Sequence, residues 1–196
     1  MKKVHQLILA ALIMLVAVSC SSRKVTRLDP DQTIDLSGRW NSTDAKLTAD
    51  AMITQAISER WISNFQSRNN GEKPVVIVGF VQNKTHEHID AEVFIRDLEK
   101  EFINSGRVTL VQGGEKREQI RAERAGQQDY ASPETMSQWG REIGADFMLQ
   151  GDIASIVDTY KKEKVVFYKV NLQLTNITTN EVVWIGEKEI KKYINK

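Results

Sequence analysis

The stretch VVIVGFV, Val75–Val81, follows Pro74 and is apolar on both of its alternating faces. A strand with one face in water alternates apolar and polar residues, so this unbroken run predicts a strand covered on both sides, central in a sheet with helices above and below. The polar residues Asn83-Lys84-Thr85 then turn the chain, and a helix is expected over Ile89–Asn104 with Val93, Phe94, Leu98, Phe102 and Ile103 on its buried face. Ser105-Gly106 ends that helix, and RVTLVQ, Arg107–Gln112, returns as a short strand. Strand, helix and strand in this order read as a βαβ unit.

Upstream, Thr43 or Asp44 can cap a long helix that runs to about Asn69 before Gly71. Ile53, Ile57, Trp61 and Phe65 recur every four residues, with Met52, Ala56 and Ile62 widening a core-facing stripe. Downstream, Gly113-Gly114 opens the charged segment EKREQIRAERAGQQDY, which reads as a solvent-exposed helix. The glycine pair lacks both GxGxxG and GxxxxGK[ST], so it marks a tight turn and not a phosphate loop. Ser132-Pro133-Glu134 supplies a cap and a first-turn proline for another short helix over TMSQWGREI.

Three strands follow, Ala145–Asp158, Lys164–Ile177 and Glu181 to about Tyr193, the last two joined by a hairpin at Thr178-Thr179-Asn180. In the middle one, Val166, Tyr168, Val170, Leu172 and Leu174 point one way and Lys169, Asn171, Gln173 and Thr175 the other. One face of this meander packs on the core and the other meets water or a partner. The expected fold class is α/β (α+β mixed): a single-domain sandwich whose central mixed β-sheet of about 4–5 strands is flanked by helices on both faces.

The N-terminus points to export. A basic leader, Met1-Lys2-Lys3, precedes the apolar run Leu7–Val18, too short to span a bilayer as a helix but suited to the core of a signal peptide. Ala17-Val18-Ser19-Cys20 resembles the lipobox of bacterial lipoproteins, which implies acylation of Cys20 and loss of residues 1–19. Cys20 is the only cysteine, so no intramolecular disulfide can form. Ser21 and Ser22 follow it without a retention aspartate, which favours the outer membrane, periplasmic side. Removing Lys2 and Lys3 leaves 25 basic residues against 26 acidic, a balance that gives no support to nucleic-acid binding. Residues 20–42 read as the lipidated cysteine and a polar tether of about 22 residues, with an r.m.s. span near 25 Å, and residues 43–196 as the domain. Trp40 is out of place in a solvated linker, so Leu36–Asn41 either belongs to the tether or docks on the domain.

The stretch THEHID, Thr85–Asp90, holds residue types that bind metals or move protons. His86 and His88 stand at i and i+2, but His5 lies in the leader and Cys20 in the lipobox, so only carboxylates remain to complete a metal site. The polar entry to a helix N-terminus is the better account. There is no GxSxG elbow, and paired carboxylates such as Glu99 with Glu101 or Glu187 with Glu189 read as solvated surface. No catalysis, cofactor or small-molecule substrate is expected.

Five segments, DLSGRWNSTDA (Asp35–Ala45), VGFVQNKTHEHID (Val78–Asp90), SGRVTLV (Ser105–Val111), GADFMLQGDI (Gly144–Ile153) and YKVNLQLTNITTNEVVWIGEKEIKK (Tyr168–Lys192), resemble in order the LpoB family. Those are outer-membrane lipoproteins that activate bifunctional, class A penicillin-binding proteins. The resemblance implies a fold related to the N-terminal domain of TolB and a non-catalytic role in peptidoglycan synthesis; a monomer is expected. Family members with long proline-rich tethers differ from this chain, where Pro30 is the only proline before the domain. The alternative is an accessory or pore-forming lipoprotein of a curli-type secretion system, or another non-catalytic periplasmic binding module. A pore would need strands of about 9–11 alternating residues, and only Val165–Thr175 approaches this. The candidate partner surface comprises Asn83, Lys84, Thr85, His86 and His88 of the loop with Lys169, Asn171 and Gln173 of the polar strand face.

Overall fold

The computed structural model describes residues 25–29, 32–137 and 142–195; the leader and Cys20 lie outside this range. Before the domain, residues 25–29 and 32 form no helix or strand, and Gln32 N donates to Asp29 O at 3.0 Å. The domain itself, Thr33–Lys196, contains helices α1 (Ser42–Ser58), α2 (Trp61–Arg68), α3 (Ala91–Ser105) and α4 (Gly114–Tyr130). Its strands are β1 (Val75–Lys84), β2 (Thr109–Leu110), β3 (Phe147–Tyr160), β4 (Glu163–Asn176) and β5 (Val182–Asn195). They form one mixed sheet in the order β2-β1-β3-β4-β5, parallel across β2-β1-β3 and antiparallel across β3-β4-β5. The mixed α/β fold and the βαβ unit β1-α3-β2 are as expected.

Val76, Val78, Phe147, Leu149, Ile153, Val170, Leu172, Leu174 and Trp184 share one sheet face and meet Ala49, Met52, Ile53 and Ala56 of α1 with Phe94, Leu98 and Phe102 of α3. That face carries the core. The opposite face is covered more thinly than VVIVGFV suggests. Ile77 is buried there against Gly113, but Phe80 is 66 % exposed. The cause is a bulge: Val78 pairs with Leu149 and Val81 with Gly151, so Gly79 and Phe80 together oppose Gln150 and turn outward. Helix α4 buries none of its residues, as its charge predicts.

Four local readings change. The first helix is two, because Glu59 is extended (φ −79°, ψ 162°) and Trp61 folds back so that its indole N–H donates to Ala56 O at 2.7 Å. The indole thus satisfies a carbonyl at the end of α1, the accounting every helix terminus must meet. On α3 the buried stripe is Phe94, Leu98 and Phe102, whereas Val93 and Ile103 are exposed. The strand expected over Arg107–Gln112 shortens to β2, although Thr109 N and Val111 N still donate to Pro74 O and Val76 O. Residues 132–137 form turns without a helix, and 138–141 of the expected short helix lie outside the described residues.

At Gly151 a Cβ would stand 2.0 Å from Asn171 O, so no larger residue fits where β3 and β4 approach. The β4–β5 hairpin closes on Asn176, whose Oδ1 accepts from Thr178 N and Thr179 N at 2.9 Å, while Asn180 takes φ +59°.

The revised α3 stripe makes a direct expectation. Leu98→Ala should cost about 2–5 kcal/mol in denaturant unfolding, because a fully buried side chain leaves a cavity. Ile103→Ser should stay within about 0.5 kcal/mol of wild type. Similar losses at the two positions would refute the assignment of faces.

Candidate functional site

The sequence-predicted partner residues divide between the two sides of the sheet. On the outer face, β3, β4 and β5 set Gln150, Gln173 and Ile185 in one cross-strand row and Asp152, Asn171 and Glu187 in the next. Lys84 reaches Asp152 at 3.6 Å, and Lys169 bonds Glu187 at 2.6 Å with Glu189 at 3.8 Å. The hydrogen bond to Glu187 holds the Lys169 ammonium above its ordinary pKa. Lys84, Asn171 and Gln173 line a shallow groove of about 270 Å³ with Phe80, Asp152 and Ile185. Phe80 and the 70 %-exposed Ile185 bring apolar side chains to this polar row. The two were missed because one lies in the bulge and the other was read only as part of a strand.

The loop after β1 is built differently. Asn83 Nδ2 donates to Glu87 O at 2.8 Å, and Asn83 Oδ1 accepts from Thr85 N at 2.9 Å and Thr85 Oγ1 at 2.8 Å. Asn83 and Thr85 therefore brace the loop, both half-buried. His86 and His88 are exposed and border a cavity of about 250 Å³ with Arg39, Ser155, Val157 and Lys164. Ser155 and Val157 alternate with the outer-face residues, so this cavity opens on the helix side. Among the described residues no group of three or more His, Cys, Asp or Glu is placed to hold a metal ion.

Between the histidines, Glu87 turns inward. Its Oε1 accepts from the hydroxyl of the fully buried Tyr168 at 2.7 Å, and its Oε2 accepts from Trp40 N at 3.1 Å. Burial first, then the bond to Glu87, raises the Tyr168 pKa well above the usual phenol value. Trp40 packs edge-on against Phe94 and Tyr168, with ring centroids 6.2 and 5.6 Å apart. A second polar centre lies nearby, where Lys192 Nζ, 9 % exposed, donates to Asp35 Oδ1 and Asp44 Oδ2 at 2.6 Å each and to Arg39 O at 3.1 Å. Residues 35–41 are thus docked on the domain. Sequence reasoning noticed only Trp40, since nothing local marks Lys192 as different from Lys188 or Lys191.

What these elements define is a mixed α/β domain with a dense helix-side core and an open, polar outer sheet face. The sequence profile described as Peptidoglycan-synthase activator LpoB matches residues 44–190, and the chain belongs to that family. Among solved structures it is similar to the LpoB C-terminal domain of Escherichia coli (17 % identity, 76 % of this chain and 99 % of that one, TM-score 0.46). Similar too are the same domain from Salmonella enterica (17 %, 76 % and 99 %, TM-score 0.44) and the NMR structure of E. coli LpoB (16 %, 91 % and 85 %, TM-score 0.43). No curated protein matches the chain.

The Lys192 centre sets a pH window. Asp35 is held below the usual carboxylate pKa, chiefly by its hydrogen bond with Lys192. Its contribution is therefore present above about pH 4 and lost as pH falls through the lowered value. Burial alone would lower the Lys192 pKa, but Asp35 and Asp44 hold it raised, so its contribution persists below about pH 10 and is lost above the raised value. Lys192→Met, which strands two carboxylates, should destabilise by about 3 kcal/mol at pH 7. Asp35→Asn, at a half-exposed partner, should cost about 1 kcal/mol or less, a difference that shrinks below about pH 4. Urea unfolding from pH 3 to 9 reads both, and a pH-independent Asp35→Asn difference would refute the ion-pair account.

Proposed function

We propose that this protein is an outer-membrane lipoprotein that binds and activates a class A penicillin-binding protein in peptidoglycan synthesis. Membership of a family of peptidoglycan-synthase activators, matched over 44–190, is the observation that carries the reading. In this account residues 1–19 are a signal peptide, Cys20 carries the lipid, and the domain works as a monomer on the periplasmic side without catalytic residues or a cofactor. That no described helix is long and apolar enough to cross a membrane is compatible with attachment through a lipid. Activation then means binding an active conformation of the synthase better than an inactive one, and each 1.4 kcal/mol of preference shifts that equilibrium about tenfold.

The surface we assign to the synthase is the outer sheet face at Lys169, Asn171 and Gln173, continued by Lys84, with His86 and His88 as a second contact. The outer face is supported by its geometry: amides and paired charges on rigid strands, bordered by Phe80 and Ile185. Apolar anchors within a polar frame suit a protein partner.

The test is glycan polymerisation from lipid II by the host's class A enzymes, with and without the chain lacking its leader. A reproducible rate increase with direct binding is expected, and no effect on any of them would remove the activator role. Lys169→Glu combined with Gln173→Arg should weaken binding at least tenfold while leaving the unfolding midpoint near wild type. His86→Ala with His88→Ala should have the smaller effect. Unchanged binding in the first variant would exclude the outer face.

A further inference from the structure

We infer that Thr33–Trp40 is a separable strap, a length of tether stored against the helix side of the domain, and that it can leave while the domain stays folded. Each polar centre that fastens it has a partner belonging to the domain. When the strap departs, Lys192 loses Asp35 and Arg39 O but keeps Asp44 of α1 at 2.6 Å. Glu87 loses Trp40 N but keeps the Tyr168 hydroxyl at 2.7 Å. The bonds β5–α1 and β4–loop therefore survive release, and no buried charge is left unpaired. The N-cap of α1 also remains, since Asn41 Oδ1 accepts from Thr43 N and Asp44 N at 2.9 and 3.1 Å.

What holds the strap is a short set of contacts, among them Asn41 Nδ2 donating to Asp35 Oδ1 at 2.7 Å and the Tyr168 hydroxyl donating to Gly38 O at 3.5 Å. Besides Asp35 and the Trp40 ring, its turn is made by Gly38, whose φ is +67° and whose Cβ, if present, would lie 2.3 Å from Ile194 Cδ1. Asp35 and Arg39 are exposed along it. Such marginally fastened edges open locally without global unfolding. Release frees eight residues, about 27 Å at full extension. Resting on the lipoprotein reading, release would restore the tether of about 22 residues, of which docking of the strap leaves only 21–32, with an r.m.s. span of about 19 Å.

Hydrogen exchange on the full chain tests separability. Trp40 N–H should exchange at least tenfold faster than core amides of β4 and with little dependence on urea, whereas Leu172 and Val170 should show the full urea dependence of global unfolding. Exchange of Trp40 at the core rate, or with the urea dependence of the core, would overturn the proposal. Reach is tested in cells whose growth depends on the stimulated synthase. Deleting residues 22–29 should impair function, and adding Asp35→Asn with Trp40→Ser to that deletion should restore it. Faster strap exchange without such rescue would refute stored length as the use of the strap. If the unaltered chain stimulates no synthase, the functional reading fails, while the strap stands or falls on exchange alone.

Discussion

A buried ammonium at Lys192 is the constraint around which the ends of the domain are arranged. Burying a lysine charge is unfavourable unless it is paired and hydrogen-bonded. Here the acceptors come from three places: Asp44 in the first turn of α1, and Asp35 and the carbonyl of Arg39 in the segment that precedes that helix. Asp44 does double service, since the same Oδ2 accepts from Asn41 N at 2.9 Å in the capping box and sits where the helix dipole favours negative charge. The last strand is therefore fixed to the first helix and to the segment before it by one side chain.

The sheet divides the labour. Its helix side holds the apolar core, where Tyr168 and Val166 extend the row of Leu174, Leu172 and Val170 to full burial. Its outer side carries Gln150, Gln173, Asn171 and Lys169 on strands paired over long unbroken registers, so their spacing is set by the ladder and not by loop geometry. A rigid row suits the proposed role of activation by selective binding, because ordering its own surface would subtract from the preference it exerts.

The legible parts of the fold were those written in local pattern. Alternation through Val166–Thr175 placed β4 and separated its faces, and Gly106 and Asn180 marked turns correctly. The missed parts depend on residues distant in sequence. Nothing in SERWIS signals a helix break, because Glu59 becomes extended only when the Trp61 indole takes the Ala56 carbonyl. Phe80 belongs to an apolar run, and only the mismatch of β1 with Gln150 on β3 turns it to solvent. Val93 and Ile103 flank the true stripe by one position, an ambiguity that the 3.6-residue period leaves until a neighbour selects the face. Of the candidate site, the polar strand face was visible, whereas the structural roles of Asn83 and Thr85 and the pairing of Glu87 with Tyr168 were not.

The division of faces also bears on how the proposed anchoring and the proposed partner binding would coexist. Trp40 and Asp35 engage Tyr168, Phe94 and Lys192, all on the helix side, whereas Lys169, Asn171 and Gln173 face the other way from the same strand or its neighbour. A pull transmitted through residue 33 would load Asp35–Lys192 and then the Trp40 contact, without crossing the outer groove. Because neighbouring residues on β4 alternate between the two sides, the strap and the outer-face part of the proposed synthase surface share a backbone but no side chain, whereas His86 and His88 border Arg39 of the strap. Binding at the outer face then leaves the strap free to hold or release, and coupling between the two faces would have to pass through displacement of β4 itself, which paired strands on both sides resist.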